Sequence, residues 1–527
     1  MASTHKAKAN RYNFALAFFV ALGSFSYGFN SSIIGSVIGQ PSFYSYMNFV
    51  ATSNYGGSII GAANGMYAAA GVIGSLSVFW MLDVMGRKKG IQIAALLCLI
   101  SAAVQAGSVH IAMFLVGRFF NGLAIGWINC SVPIYISEIS PASQRGRIVG
   151  SHGFVICCGY AVSNWCGFGT FYETNGTIQW RLLLALQCVA PLLLALGSPW
   201  VPESPRWLVN NGRHDEGLSV LEKLHANADD PQHVNAKVEF TEIRAQLVWD
   251  RSHDDLNTFW KMMKAPTIRK RMLYGFWTQA ACQSTGVLVI ANYMFIILGN
   301  LGISPANSLM LLAFYNTWAA FLNWINSLII DRFGRKPIII GCLVGCVCVL
   351  IVETILVSRY GGAGNTNKVG SGFALLFIFL FATFYGCGLD VSSYVYCCEI
   401  FPTSVRAKGV GFSTAGLFLM TTIYTSTAGT AFNHIGYRFY IVFIVVTSAM
   451  LPLIIFKFPE TKGLSLEEIG VLFGDEAPVN SSQPGERDDM ELRQGSNDTD
   501  LGTKKTSELD HVTSTYLIED AEKGHPL

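Results

Sequence analysis

The chain has 527 residues, 51% of them hydrophobic and only 13% charged, with a mean hydropathy of +0.40. Soluble domains carry about twice that charged fraction, so an ordinary soluble enzyme or binding module is excluded. The net charge of +2 leaves no electrostatic footprint for nucleic acid or for an acidic partner.

The N-terminus, MASTHKAKANRY, is polar and basic and lacks a cleavage pattern, so the first apolar run is expected to remain as a membrane helix. Apolar runs of about 20 residues, enough to cross a bilayer, then recur to the C-terminal region. They predict twelve spans at roughly 13–33, 56–82, 91–110, 113–137, 149–168, 182–201, 271–298, 308–330, 338–358, 371–398, 409–430 and 437–457. The expected organisation is a short cytoplasmic N-terminus (1–12), a six-helix half (13–201), a cytoplasmic linker with short helices (202–270), a second six-helix half (271–457) and a cytoplasmic tail (458–527). The tail is too polar after about 471 to bury a core. The fold class is thus an all-α membrane protein of twelve transmembrane helices in two halves.

Lys and Arg set the orientation. Arg87, Lys88 and Lys89, Arg145 and Arg147, Arg332, Arg335 and Lys336, and Arg406 and Lys408 all fall in loops on one side. Both termini and the linker are expected on the cytoplasmic face of a cell membrane. Asn175-Gly-Thr177 then lies outside, open to glycosylation, while Asn480 and Asn497 lie on the cytoplasmic side. The thirteen cysteines include two adjacent pairs, Cys157–Cys158 and Cys397–Cys398, with no metal or disulfide spacing; they read as small core residues. No cofactor and no metal are expected. No nucleophile–base pair or GxxxxGK[ST] loop points to an enzyme or an ATP-driven pump.

Three motifs occur twice in one order. DVMGRKKG (83–90) returns as DRFGRKP (331–337), EISPASQRGR (138–147) as EIFPTSVRAKG (399–409), and PESPRWL (202–208) as PETKGLSLEEI (459–469). Duplicated halves with a site between them at the membrane midplane are a transporter architecture. Together these motifs resemble the sugar porter family of the major facilitator superfamily over about residues 13–470, and SYVYCCEIFPTSVRAKGVG resembles its fungal members.

The resemblance implies several roles. Asp83, Arg87, Glu138, Arg145, Asp331, Arg335, Glu399 and Arg406 would form a charged gate locking helices across the cytoplasmic mouth, joined by Glu203, Arg206 and Glu460. Arg118, inside the fourth span, would lie against the polar position of the first helix, here Asn30 in YGFNSSIIG, and face a wet cavity. Proton-coupled relatives carry an aspartate at that position. Asn30 cannot titrate, which favours facilitated diffusion. In the seventh span, QAACQSTGVLVIANYMF resembles a stretch whose amides bind sugar hydroxyls. Gln283, Gly286 and Tyr293 match it, whereas Cys282, Leu288 and Asn292 depart from it. Gly153, beside His152, stands where the fifth span has a glutamine. Tyr394 stands for a tryptophan, and Leu417–Phe418 for an Asn-Trp pair.

The missing polarity would come from Asn292, Asn316, Asn323, Asn326 and Asp390, although ordinary interhelix bonding explains each asparagine equally well. Asp390, an acid within the tenth span, has three readings: a hydroxyl acceptor in the substrate cavity, a relocated coupling proton site, or a structural partner for Arg118 or another polar group. The substrate-binding set is Gln283, Asn292, Asn316, Asp390 and Tyr394, and the expected solute is a hexose-like monosaccharide. Proton-coupled import through Asp390, transport of a non-sugar or glycosylated metabolite, and a non-transporting sugar sensor are the alternatives. The Ser, Thr, Lys and acidic mix of the tail suits ubiquitin or trafficking machinery as a partner; a solubilising tail is the simpler reading.

Overall fold

The computed structural model describes residues 10–50, 53–140, 145–226, 233–252, 259–361, 367–402, 405–462, 464 and 466–474. All regular structure among them is helical. Nine helical segments are long and apolar enough to span a membrane. They are α1 (Arg11–Val37), α2 (Asn54–Met85), α3 (Arg87–Ala106), α4 (Ile111–Ile139), α6 (Gly176–Trp200), α7 (Pro266–Asn300), α9 (Arg335–Tyr360), α10 (Lys368–Glu399) and α12 (Gly436–Lys457). Three further helices of spanning length complete twelve: α5 (Arg145–Thr170), α8 (Pro305–Phe333) and α11 (Arg406–His434).

These three are too polar for that test, and their packing explains why. α5 lies against α8, and α11 against α2, so each sits on a seam between the two halves and not wholly in lipid. Their polar residues, such as Asn164, Asn323 and Thr425, are buried against protein. The seams are tight because they are built on small residues. A Cβ on Gly61 would lie 2.2 Å from the Ser426 carbonyl oxygen, and one on Gly429 2.3 Å from that of Gly57. Within the first half α1 meets α5 even more closely, through Gly28 and Gly159.

The duplicated motifs make one local structure twice. Gly86 (φ +88°, ψ 166°) and Gly334 (φ +91°, ψ 165°) occupy a backbone region open essentially only to glycine, and each starts a helix immediately. The exposed N–H groups of those helices are capped by a carboxylate from after the sixth span of the same half. Glu203 Oε1 accepts from Arg87 N (2.8 Å) and Lys88 N (3.0 Å); Glu460 accepts from Arg335 N (3.0 Å) and Lys336 N (2.9 Å).

Between the halves run the short helices Pro205–Asn210, His214–His225, Val234–Ser252 and Phe259–Lys264. Asn10 and Asn13 tie the start of α1 to this segment, with Asn13 Nδ2 donating to the Leu224 carbonyl at 3.0 Å. The polar change expected at about 471 falls inside a final helix, Leu466–Phe473. Phe473 is buried under Tyr274 and Arg271, which holds that helix on. The expectations for the rest of the tail, with Asn480 and Asn497, fall outside the described residues.

Candidate functional site

α1, α5, α7, α8, α10 and α11 line a narrow cavity between the two halves. All five residues expected to bind substrate, Gln283, Asn292, Asn316, Asp390 and Tyr394, line it.

α7 and α8 form an amide wall of Gln279, Gln283, Asn292, Asn316 and Asn323. Asn316 and Asn323 donate to their own helix, at Leu312 and Ala319. Asn326 instead reaches the Gly388 carbonyl and lies off the cavity. Both side-chain polar atoms of Gln279, with Gln283 Oε1 and Asn323 Oδ1, are buried without a hydrogen-bond partner. The sequence reading missed Gln279, although it sits four residues before Gln283 and hence on the same helix face.

The rest of the lining is rich in phenols and holds one acid: Tyr27, Tyr160, Tyr315, Tyr385 and Tyr394 line the cavity with Asp390. Asp390 follows a π-helical turn, Tyr385–Leu389, whose extra residue re-aims the helix beyond it. Cys157 Sγ donates to Asp390 Oδ2 at 3.2 Å. Cys157 is therefore part of the cavity wall and not merely core, and Asp390 is bonded here and not to Arg118.

Two interhalf contacts cap the chamber. Away from the linker helices, Asn292 Nδ2 donates to Asn64 Oδ1 (3.4 Å). Towards the linker, Asn129 Nδ2 donates to Tyr394 Oη (3.4 Å). His152 backs the second contact: its Nε2 lies 3.3 Å from Asn129 Oδ1, and its Nδ1 lies 2.6 Å from Ser24 Oγ.

The central polar pair differs from expectation. Asn30 Nδ2 donates to the Ser26 carbonyl of its own helix (2.8 Å). Arg118 Nη1 donates to the backbone carbonyl of Asn30 (3.1 Å) and its Nε to that of Ala63 (3.3 Å), with the guanidinium 4.2 Å over the Tyr67 ring. Both side chains are fully buried and neither lines the cavity, so the wet face expected for Asn30 is absent in this conformation. Among the described residues no carboxylate pairs with Arg118, and its Nη2, like Asn30 Oδ1, has no partner.

Two of the gate arginines pair with a carboxylate of their own half. Arg87 grips Glu138 with two nitrogens, Nε and Nη2 (each 2.9 Å), and Asp83 lies 4.0 Å away. Arg335 grips Glu399 in the same way (3.1 and 2.7 Å), and Thr461 donates to that carboxylate. Each pair ties the second-to-third-span loop to the end of the fourth span of its own half; neither crosses the mouth. Arg406 Nε reaches the Phe401 carbonyl. The side chains of Arg145 and Asp331 fall outside the described residues. Asn175 is exposed and caps α6, accepting from Thr177 N and Ile178 N.

A two-fold-repeated helical bundle with a narrow chamber between its halves, carrying amides, phenols and one acid in its lining, defines a multi-pass membrane transporter. The Sugar (and other) transporter family profile matches residues 16–473, and the chain belongs to that family. It is 30% identical over 462 residues to the MFS-type transporter criB of Aspergillus cristatus, covering 88% of this chain and 93% of that one. It is 29% identical over 488 residues to a high-affinity glucose transporter of Kluyveromyces lactis, covering 89% and 86%. The fold matches the proton:xylose symporter XylE bound to 6-bromo-6-deoxy-D-glucose with a TM-score of 0.73 at 21% identity, covering 88% of this chain and 99% of that one. Members of this family are permeases, not enzymes.

Proposed function

We propose that the protein carries a monosaccharide of hexose type across a cell membrane by alternating access, with the linker and both termini on the cytoplasmic side. The amide wall carries this reading. Gln279, Gln283 and Asn323 present buried polar atoms without protein partners. Leaving such an atom unsatisfied costs about 1–3 kcal/mol, which a ligand hydroxyl offsets. The Kluyveromyces glucose transporter, similar over most of both chains, supports the same substrate class. The Asn64–Asn292 and Asn129–Tyr394 contacts close opposite faces of the chamber, and alternating access requires them to part in turn.

Facilitated diffusion is the coupling mode we favour, because an amide at position 30 has no proton to exchange with solvent near neutral pH. Asp390 supplies a specific second reading, proton-coupled uptake, since it is an acid in the cavity wall itself. Uptake of labelled hexoses by a transporter-deficient yeast, with and without a protonophore, separates the two. Uptake unaffected by the protonophore is expected; collapse of uptake moves the reading to Asp390, and no uptake of any hexose despite surface expression removes it.

Two sets of variants extend the test. Gln279→Ala and Gln283→Ala are each expected to reduce hexose affinity about tenfold, the worth of one well-placed hydrogen bond, read as KM in the same cells. Arg87→Ala and Glu399→Ala are expected to lower transport with surface expression largely intact. Normal uptake in both would show that tying the loop to the fourth span within each half is dispensable for the cycle.

A further inference from the structure

The cavity wall has a charge asymmetry that a site for neutral sugars does not need. Among its lining residues Asp390 is the one group charged in its ordinary state at neutral pH, and no Lys, Arg or His accompanies it. The nearby cation, Arg118, is turned away, spent on two backbone carbonyls and covered by the Tyr67 ring. His152 is likewise buried behind Asn129 and Ser24. Asp390 is largely buried, and its side-chain partners, the Cys157 thiol and Asn323, are both neutral and leave its charge unmatched.

The surroundings of Asp390 sharpen this. Tyr27, Tyr160, Tyr315, Tyr385 and Tyr394, from α1, α5, α8 and α10, all lie within electrostatic reach of its carboxylate. Aromatic rings attract a ligand cation through their π-faces, and a carboxylate among them adds direct charge pairing. A carboxylate in low dielectric without a counter-charge is costly, and a ligand cation would remove that cost.

We propose that the site takes an amino-substituted sugar, with its ammonium group set against Asp390 within the tyrosine cage and its hydroxyls against the amide wall of α7 and α8. The same arrangement disfavours sugar acids, whose carboxylate would meet Asp390. This inference rests on the reading of the cavity as a sugar site and adds the charge of the preferred solute.

The test measures binding of glucose, glucosamine and glucuronate to the purified full-length protein by thermal shift or isothermal titration. Glucosamine differs from glucose by one ammonium in place of a hydroxyl. It is expected to bind about tenfold more tightly than glucose, and glucuronate to bind more weakly than either. Asp390→Asn is expected to bring the glucosamine-to-glucose ratio close to one, and Asp390→Glu, which keeps the charge, to preserve a preference. Equal affinity for glucose and glucosamine in the unaltered protein overturns the inference without needing any variant to fold, as does a preference that survives Asp390→Asn. Asp390-dependent binding of glucosamine with no binding of glucose overturns the neutral-hexose reading and leaves the inference standing. Binding of none of the three overturns both.

Discussion

Gly28→Val is expected to yield no correctly folded transporter. A Cβ at this position would lie 1.9 Å from the Ile156 carbonyl oxygen and 3.1 Å from the Gly159 Cα, so the obstacle is backbone and cannot swing aside. Ordinary carbon–oxygen contact needs about 1.5 Å more. α1 and α5 would have to separate along their whole seam, since a Cβ on Gly159 would likewise lie 2.4 Å from the Phe25 carbonyl oxygen. Overpacking that side chains can absorb already costs about 1–3 kcal/mol, and here no side chain can absorb it. The same separation would pull Tyr27 from Tyr160 and Cys157 from Asp390, opening the cavity wall at its acid. Size-exclusion profiles of a fluorescent fusion check this: the variant should lose the monodisperse peak. Gly169→Ala, where a Cβ meets nothing within 4 Å, should keep it. A monodisperse Gly28→Val with unchanged melting temperature would show that the two helices part readily.

Arg118→Leu is expected to leave stability nearly unchanged and to lower uptake by more than tenfold. Two effects oppose each other. The substitution removes two charge-assisted hydrogen bonds, each worth about 1.5–3 kcal/mol, and the contact with Tyr67. It also removes a fully buried cation that has no carboxylate partner among the described residues, and burying such a charge costs several kcal/mol. The two nearly cancel, so a hydrocarbon of similar reach would serve the resting fold as well. A charge held where it adds little stability points to the transport cycle, in which α1 and α2 move against their neighbours and Arg118 holds a carbonyl on each. Melting temperature and initial uptake rate, measured together, decide the matter. A collapse in melting temperature would make Arg118 a structural tether, and normal uptake would make it dispensable. Asn30→Asp is the informative companion. It places a carboxylate on the residue whose backbone carbonyl Arg118 holds, and the expected results are a higher melting temperature and uptake that becomes pH-dependent.

The sequence specified the helices well because membrane burial leaves a strong composition signal. Each of the twelve apolar runs overlaps a helix, and α3 begins at Arg87, four residues before the expected 91. That shift has a local cause: Gly86 turns the chain so sharply that helix starts at once, capped by Glu203 from far along the chain. Such a cap in trans has no local sequence signature. Gln283 and Tyr394 were legible through the family resemblance, and Asn292, Asn316 and Asp390 because polar residues in apolar runs must face something other than lipid. What they face was not legible. Asn30 satisfies its amide on Ser26, one turn back on its own helix, and presents its backbone carbonyl to Arg118. Main-chain acceptors are the same at every residue, so a residue-type reading overlooks them. Apart from Tyr394, the tyrosines around Asp390 went unnoticed for a related reason: Tyr27, Tyr160, Tyr315 and Tyr385 come from four helices, and each alone looks like membrane packing.

The π-helical turn before Asp390 has a consequence for how this solute site can change over time. One surplus residue in Tyr385–Leu389 sets the phase of everything from Asp390 to Glu399. Losing a single residue there would restore an ordinary helical turn and rotate the following segment by about 100°. Asp390 and Tyr394 would leave the chamber together and other side chains would take their places, while the framework of helices stayed as it is. A one-codon deletion could thus exchange the chemistry of a whole wall in one step, a change that point substitutions would need several rounds to reach.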